Sequence, residues 1–343
     1  MRGAPTVIET CTAKLAAGEH LSMQESADAF SHIMSGDCDE AEIAALLLAL
    51  RAQGESADEI AGAAEALRRH MTRIESSRTG LIDTCGTGGD ASNTFNISTC
   101  AAFITAAAGV PVAKHGNRGV TSKSGSADVL AELGVNIEAD QRVVGRCLDQ
   151  VGIGFCFAPR FHSSMRVVAK VRAELAVPTI FNLLGPLCNP ASAPFQLVGV
   201  GQPDLRPLMA EALGKLGIQR AVFVTGYDGL DEVTLTGPTR ALEIAAGDRR
   251  EFDWRPGDFG LEVQTLTETI VDGPVSSAKM IRQVLAGEPG AARDIAVINA
   301  AAALWTAGKG STPRESARLA QEAIDGGAAE EILAKLAEES HRS

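Results

Sequence analysis

Four short segments bring together residue types that could do chemistry. The first is Asp83–Thr99, DTCGTGGDASNTFNIST. A glycine-rich turn between a strand and a helix leaves backbone N–H groups free to face an anion, and the helix adds its positive N-terminal end. Here the turn is Gly86-Thr87-Gly88-Gly89-Asp90, and Asn96, Ser98 and Thr99 stand where the helix begins. Their amide and hydroxyls suit phosphate oxygens. The pattern is not the Walker loop, which needs Gly-Lys-Ser/Thr. Nor is it GxGxxG with an acidic residue for a ribose hydroxyl. Without a ligand, such a segment is simply a tight turn.

The second segment, Lys114–Asp128, reads KHGNRGVTSKSGSAD. Lys114, Arg118 and Lys123 place three positive charges within ten residues of an acidic chain. A charge run is usually a solvated loop. This one leaves the carboxyl end of a strand, where α/β sheets place their ligands, and mixes glycines and hydroxyls with cations as an oxyanion-binding flap would. The third segment is Asp228–Glu232, DGLDE. Asp231 and Glu232 are hard oxygen ligands at a turn. Mg²⁺ typically takes one or two carboxylates and leaves its other positions to water and substrate phosphate. An isolated acidic pair is otherwise a solvated turn. The fourth is Phe157–Arg172, FAPRFHSSMRVVAKVR, where His162 precedes a basic helix carrying Arg166, Lys170 and Arg172. One arginine could fork onto a carboxylate. A solvent-facing basic helix and a packing histidine explain the same residues.

These segments need a scaffold, and the rest of the chain supplies its signals. Ser22 with Glu25, Asp39 with Glu42 and Ser56 with Glu59 are capping boxes that open three helices, two of them closed by Gly36 and Gly54. They predict a small helical domain or half of a dimer interface. From Leu81 the texture changes to short apolar runs alternating with helical ones. Strands are expected at 81–84, 110–114, 153–158, 196–200 and 220–225, with helices at 98–108, 126–133, 165–175 and 204–216. Such alternation implies an α/β domain with a mainly parallel central sheet flanked by helices. The stretch 178–194, rich in Pro, Gly and Asn, reads as a crossover between domains.

Length and composition limit the function classes. The 343 residues fit two domains, and 45% hydrophobic against 22% charged residues is ordinary for a globular protein. A formal charge of −12 argues against a broad nucleic-acid surface. Seven cysteines, an odd number without a CxxC pair, point to reduced thiols and a cytoplasmic setting. No apolar run reaches membrane-spanning length, and the first ten residues lack a signal-peptide pattern.

Taken together, the motifs resemble the anthranilate phosphoribosyltransferase family. The resemblance rests on GTGGD at 86–90, NTFNIST at 93–99, KHGNR and SGSAD within 114–128, VRAELAVPTIFNLLGPLCNP at 171–190, and DGLDEVTLTG at 228–237. The pyrimidine nucleoside phosphorylases share the architecture but carry a lysine-serine-glycine loop absent here. The resemblance implies a small all-helical domain (1–77, with a crossover near 165–190) docked on a larger α/β domain (78–164 and 191–343), a dimer through the helical domain, and an active site in the cleft. It implies transfer of phosphoribosyl from 5-phosphoribosyl 1-diphosphate (PRPP) to the amine of anthranilate, with release of pyrophosphate, in tryptophan biosynthesis.

By that resemblance, Gly86, Gly89, Asp90, Thr94, Asn96, Ser98, Thr99, Lys114, His115, Gly116, Asn117, Arg118, Ser122 and Ser126 hold the sugar diphosphate. Ser98, Asp231 and Glu232 hold Mg²⁺, and Lys114, Asp231 and Glu232 act in catalysis. Gly86, Asn117, His162 and Arg172 meet anthranilate, and His115 lines its path. Breaking the ribose–diphosphate bond leaves negative charge on the departing group, which Mg²⁺, Lys114 and backbone donors stabilise. The acceptor amine is already neutral and nucleophilic at pH 7, so no strong base is needed. Two departures from the family pattern bear on the acceptor: Ser163-Ser164 replaces Pro-Ala, and Pro178 replaces Arg. Transfer to another aromatic amine or base, or a non-catalytic protein binding an anion or nucleic acid, are the alternatives.

Overall fold

The computed structural model describes residues 5–90, 92–119 and 123–342. Four helices come first: Val7–Ala16, Met23–Ser35, Glu40–Gln53 and Ala57–His70. Each opens with a reciprocal capping box, formed by Thr6 with Glu9, Ser22 with Glu25, Asp39 with Glu42 and Ser56 with Glu59. The second and fourth helices approach so closely at Gly62 that a Cβ there would lie 2.2 Å from the Met23 carbonyl oxygen. A hydrogen bond from Ser26 Oγ to the Glu59 carbonyl, 2.7 Å, pins the same crossing.

Seven strands form one sheet: β1 Ile82–Gly86, β2 Val112–Gly116, β3 Ile153–Phe157, β4 Phe195–Gly199, β5 Arg220–Gly226, β6 Thr239–Ala245 and β7 Asp248–Trp254. Their order is β3-β2-β1-β4-β5-β6-β7. The first five are parallel, and β6 and β7 add an antiparallel edge. The parallel strands are short apolar runs because both faces are covered; all five residues of β3 are buried. β7 carries Asp248, Arg249, Arg250 and Glu251 on the open edge, where charge discourages pairing with another chain. Its hairpin turn, Ala246-Gly247, has φ of 50° and 88°, the mirror-image geometry that suits the twist of paired strands.

One sheet face is covered by helices from the rest of the chain, with Ala291–Thr306 buried along most of its length. On the other face, Val198, Phe223 and Leu242 share a core with Leu46, Leu47 and Ile60 of the N-terminal helices, through the helix Leu205–Lys215. Between β3 and β4 the chain crosses into that helical layer. There Arg166–Leu175 packs on Glu40–Gln53, and the Phe181 ring meets Phe30 edge-on at 5.6 Å. The chain is thus a helical bundle joined to a larger α/β body with a mainly parallel sheet.

The strand order places the functional loops. From β1 the chain runs outward to β2 and β3, then returns to β4 on the other side of β1. The loops after β1 and β4 are held together, the Gly201 N–H donating to Thr87 Oγ1 at 3.1 Å. The open ground at the carboxyl ends of the strands, the usual ligand position in such sheets, lies between the loops after β1, β2 and β5.

Candidate active site

A cavity of about 340 Å³ opens between the loops that follow β1, β2 and β5. Its lining includes Gly86, Gly89, Asp90, Thr94, Asn96, Ser98, Lys114, His115, Gly116, Asn117, Arg118, Ser126, Asp231 and Glu232, so segments far apart in sequence converge. Ser122 lies outside the described residues. Thr99 is the exception among the described residues expected to hold the diphosphate. It is wholly buried, its Oγ1 has no partner among the described residues, and it faces a small internal void with Leu130 and Leu336. One residue of helical rotation past Ser98 turns its side chain away from the cavity.

The glycine turn is shaped by close contacts. The Thr87 and Gly88 N–H groups donate to the Gly199 carbonyl (2.9 Å) and to Asp231 Oδ2 (3.1 Å). Gly88 and Gly89 have φ of 66° and 89°, and the N–H groups of Gly89 and Asp90 find no acceptor among the described residues. Successive N–H groups in this conformation make an anion nest. A Cβ on Gly199 would lie 1.7 Å from the Asp231 carbonyl oxygen, so the β4 end must be glycine for the acidic loop to fold over β1.

Asn96 works differently from the expectation of a phosphate ligand. Its Oδ1 accepts from Ser124 Oγ and Ser277 Oγ, both at 2.7 Å, and its Nδ2 donates to the Ser124 carbonyl. The amide is occupied in tying the flap to the helix start. Asp128 plays a similar part that its sequence context did not reveal: its carboxylate accepts from the Gly119 and Gly125 N–H groups and pairs with Arg118 at 3.1 Å. Glycine is required at 125, where a Cβ would lie 2.1 Å from the Gly119 nitrogen.

Electrostatically, the cavity has an acidic wall and a buried cation. Burial and the nearby Asp90 raise the Asp231 carboxyl above the usual range; burial and Asp231 do the same to Glu232. Lys114 is 3% exposed and donates to the Thr84 carbonyl and to Ser98 Oγ, the latter at 3.3 Å. Burial lowers its pKa, while Asp83 and Glu232 oppose that shift. Among the described residues no three His, Cys, Asp or Glu side chains converge tightly enough to hold a metal alone. Two crowded, desolvated carboxylates beside a serine hydroxyl do fit Mg²⁺, whose remaining positions go to water and phosphate.

A second cavity, about 380 Å³, adjoins the first and shares His115 and Asn117 with it. Leu67, Met165, Phe181, Leu184 and Cys188 make much of it apolar. His162, Arg166 and Arg172 supply polar groups. Arg172 lies over the Phe181 ring at 5.4 Å, and burial without an acidic neighbour lowers its pKa. His115 Nδ1 is 3.0 Å from the Gly185 carbonyl, and its Nε2 is 3.2 Å from His162 Nε2. A proton on His115 Nδ1 then leaves its Nε2 to accept from His162. Burial holds both rings neutral, with pKa values pushed down to about 3 for His115 and about 4 for His162.

Ser163 lines a further surface hollow with Arg160 and Arg166, and Ser164 and Pro178 line neither of the two main cavities. None of the three departures lines the second cavity. The apolar lining was not legible beforehand, since Leu67 and Cys188 come from segments without a chemical signature.

Comparison with known proteins agrees with this geometry. Residues 9–71 match the helical bundle domain of a glycosyl transferase family, and residues 78–330 match that family's a/b domain. The chain is 49% identical to an anthranilate phosphoribosyltransferase of Moorella thermoacetica, over 92% of this chain and 93% of the relative. A Thermus thermophilus anthranilate phosphoribosyltransferase structure superposes with a TM-score of 0.91 at 40% identity, covering 97% of this chain and 99% of its own. One from Saccharomyces cerevisiae, in complex with PRPP and Mg, gives 0.89 at 30% identity over 98% of each chain. With both family domains matched and more than nine-tenths of its length aligned, the chain belongs to the anthranilate phosphoribosyltransferase family, the pentosyl transferases that act in tryptophan biosynthesis.

Proposed function

We propose that the first cavity takes PRPP with Mg²⁺, that the second takes anthranilate, and that the two react where His115 and Asn117 border both. The observation that carries this is the meeting of two unlike cavities. One offers backbone N–H groups that find no acceptor among the described residues, with clustered carboxylates. The other offers apolar walls and an arginine with no acidic partner among the described residues, as a planar aromatic carboxylate requires. The yeast relative's complex with PRPP and Mg supports the donor side.

In this mechanism the N–H groups of Gly89 and Asp90 receive diphosphate oxygens. Ser98, Asp231 and Glu232 hold Mg²⁺, which when bound neutralises charge on the departing pyrophosphate. Lys114, donating to Ser98 Oγ, adds positive charge there when protonated. Arg172 takes the anthranilate carboxylate and aims the amine at the ribose carbon. A C–N bond forms as the C–O bond to diphosphate breaks, the electron pair leaves on pyrophosphate, and the amine then releases its proton to solvent. The neutral imidazoles of His115 and His162 put no positive charge against the electron-poor sugar and leave the amine unprotonated. Holding both substrates in line supplies most of the acceleration.

A second copy would pack on the helical face that exposes Val7 and Leu48. The direct test is turnover: with PRPP and Mg²⁺, the fluorescence of anthranilate should decay in proportion to enzyme. No decay, or faster consumption of another aromatic amine in a substrate panel, would contradict the assignment.

A further inference from the structure

Beneath the boundary between the two cavities lies a buried polar group that no step above uses. Asp83, on β1, is wholly buried, and Asn189, at the return from the helical layer, is 4% exposed. Asn189 Nδ2 donates to Asp83 Oδ2 and to the Ala113 carbonyl on β2, both at 2.8 Å. Its Oδ1 accepts from the Ala191 N–H at 2.9 Å. The other oxygen of Asp83 accepts the His115 N–H at 3.0 Å. The His115 ring in turn reaches the Gly185 carbonyl on the crossover. The crossover is thus fastened to β2 at two places, at Ala113 through Asn189 and at His115 through Gly185, and His115 is one of the two residues that both cavities share.

We propose that Asp83 and Asn189 are positioning residues for the transfer, forming a clamp that fixes the acceptor cavity on the crossover against the donor cavity at the strand ends. A carboxylate is a costly way to join two strands, because burying it sacrifices hydration that an apolar group would not need. It gives direction in exchange. A buried network with every atom partnered allows one arrangement, whereas apolar contacts allow sliding. Transfer depends on that spacing, since a misplacement of about 1 Å can lower a rate about a hundredfold. All the diphosphate contacts lie on the α/β side, so the clamp should act on the acceptor and leave the donor alone.

The inference rests on the assignment of the two cavities, and Arg172→Ala serves as its control. In Asn189→Ala, the KM for anthranilate should rise at least fivefold and kcat should fall, while calorimetry gives a Kd for PRPP with Mg²⁺ within twofold of the parent. Asp83→Asn keeps the side chain's size and should give the same split, which preserves the test if one variant does not fold. The double variant should lose no more than the worse single variant, because the two residues act as one unit. KM does not depend on the folded fraction, so a purely structural role would leave it unchanged. An unchanged KM, equal losses in donor and acceptor binding, or strictly additive losses would overturn the clamp. If Arg172→Ala also leaves the KM for anthranilate unchanged, the cavity assignment itself fails.

Discussion

Asp231 and Glu232 show at the residue scale how function and stability oppose each other. Their crowding and burial favour the protonated forms, so each charge weakens the metal-free protein. Asp231→Asn should therefore stabilise the metal-free chain at pH 8, by roughly 1 kcal/mol, and have no such effect near pH 4. Turnover should fall about a hundredfold or more, as losing one charge-stabilising group typically does. Urea melts at the two pH values, with an assay, check both halves. Arg172→Ala should raise the KM for anthranilate by about tenfold to a hundredfold, the worth of a charge-assisted pair of about 1.5–3 kcal/mol. It should leave PRPP affinity unchanged in calorimetry. The residues legible in the sequence were those with unusual chemistry in a short span: the glycine turn, the acidic pair and the basic flap. Asp83 and Asn189 escaped notice because their partners lie up to 106 residues away, and Thr99 misled because a motif cannot say which side of a helix turn faces a cavity.

At the scale of elements, capping boxes and glycine stops predicted three of the four N-terminal helices. The first, with its own box at Thr6 and Glu9, went unread, as did the helix Gln141–Gln150. The parallel strands were found because both faces are buried and each carries a short apolar stretch, even where Asp83 on β1 and Lys114 on β2 interrupt it. β6 and β7 were missed because β7 opens with four charged residues in a row, Asp248 to Glu251, and the hairpin turn is Ala-Gly rather than the commoner Asn-Gly. Closure of the site depends on backbone contact between elements, most severely at Gly199. Gly199→Ala should destabilise the fold by about 1–3 kcal/mol, the usual range for overpacking. It should also displace the acidic loop, so that Mg²⁺-dependent PRPP binding falls further than a thermal melt would explain. A variant with normal donor affinity would show that the loop tolerates movement.

Across the whole molecule, two linkages of opposite sign meet at the cleft. Raised carboxyl pKa values mean that the folded chain binds protons more readily than the unfolded one, so stability falls as pH rises above the ordinary carboxylate range. His115 and His162, held at about 3 and about 4, do the reverse, and their contribution is lost as pH falls below the unfolded histidine value of about 6.5. PRPP with Mg²⁺ should relieve the first loss and not the second. Its gain in melting temperature should therefore be larger at pH 8 than at pH 5.5. The cleft joins a bundle and a sheet that pack as one body, and each contributes one wall. The central claim, a metal-neutralised diphosphate seated on the glycine turn opposite Asp231 and Glu232, is tested most directly by calorimetric titration of PRPP with and without Mg²⁺. Saturable binding that weakens at least tenfold when the metal is chelated is the predicted result; binding that is absent, or indifferent to the metal, would contradict it.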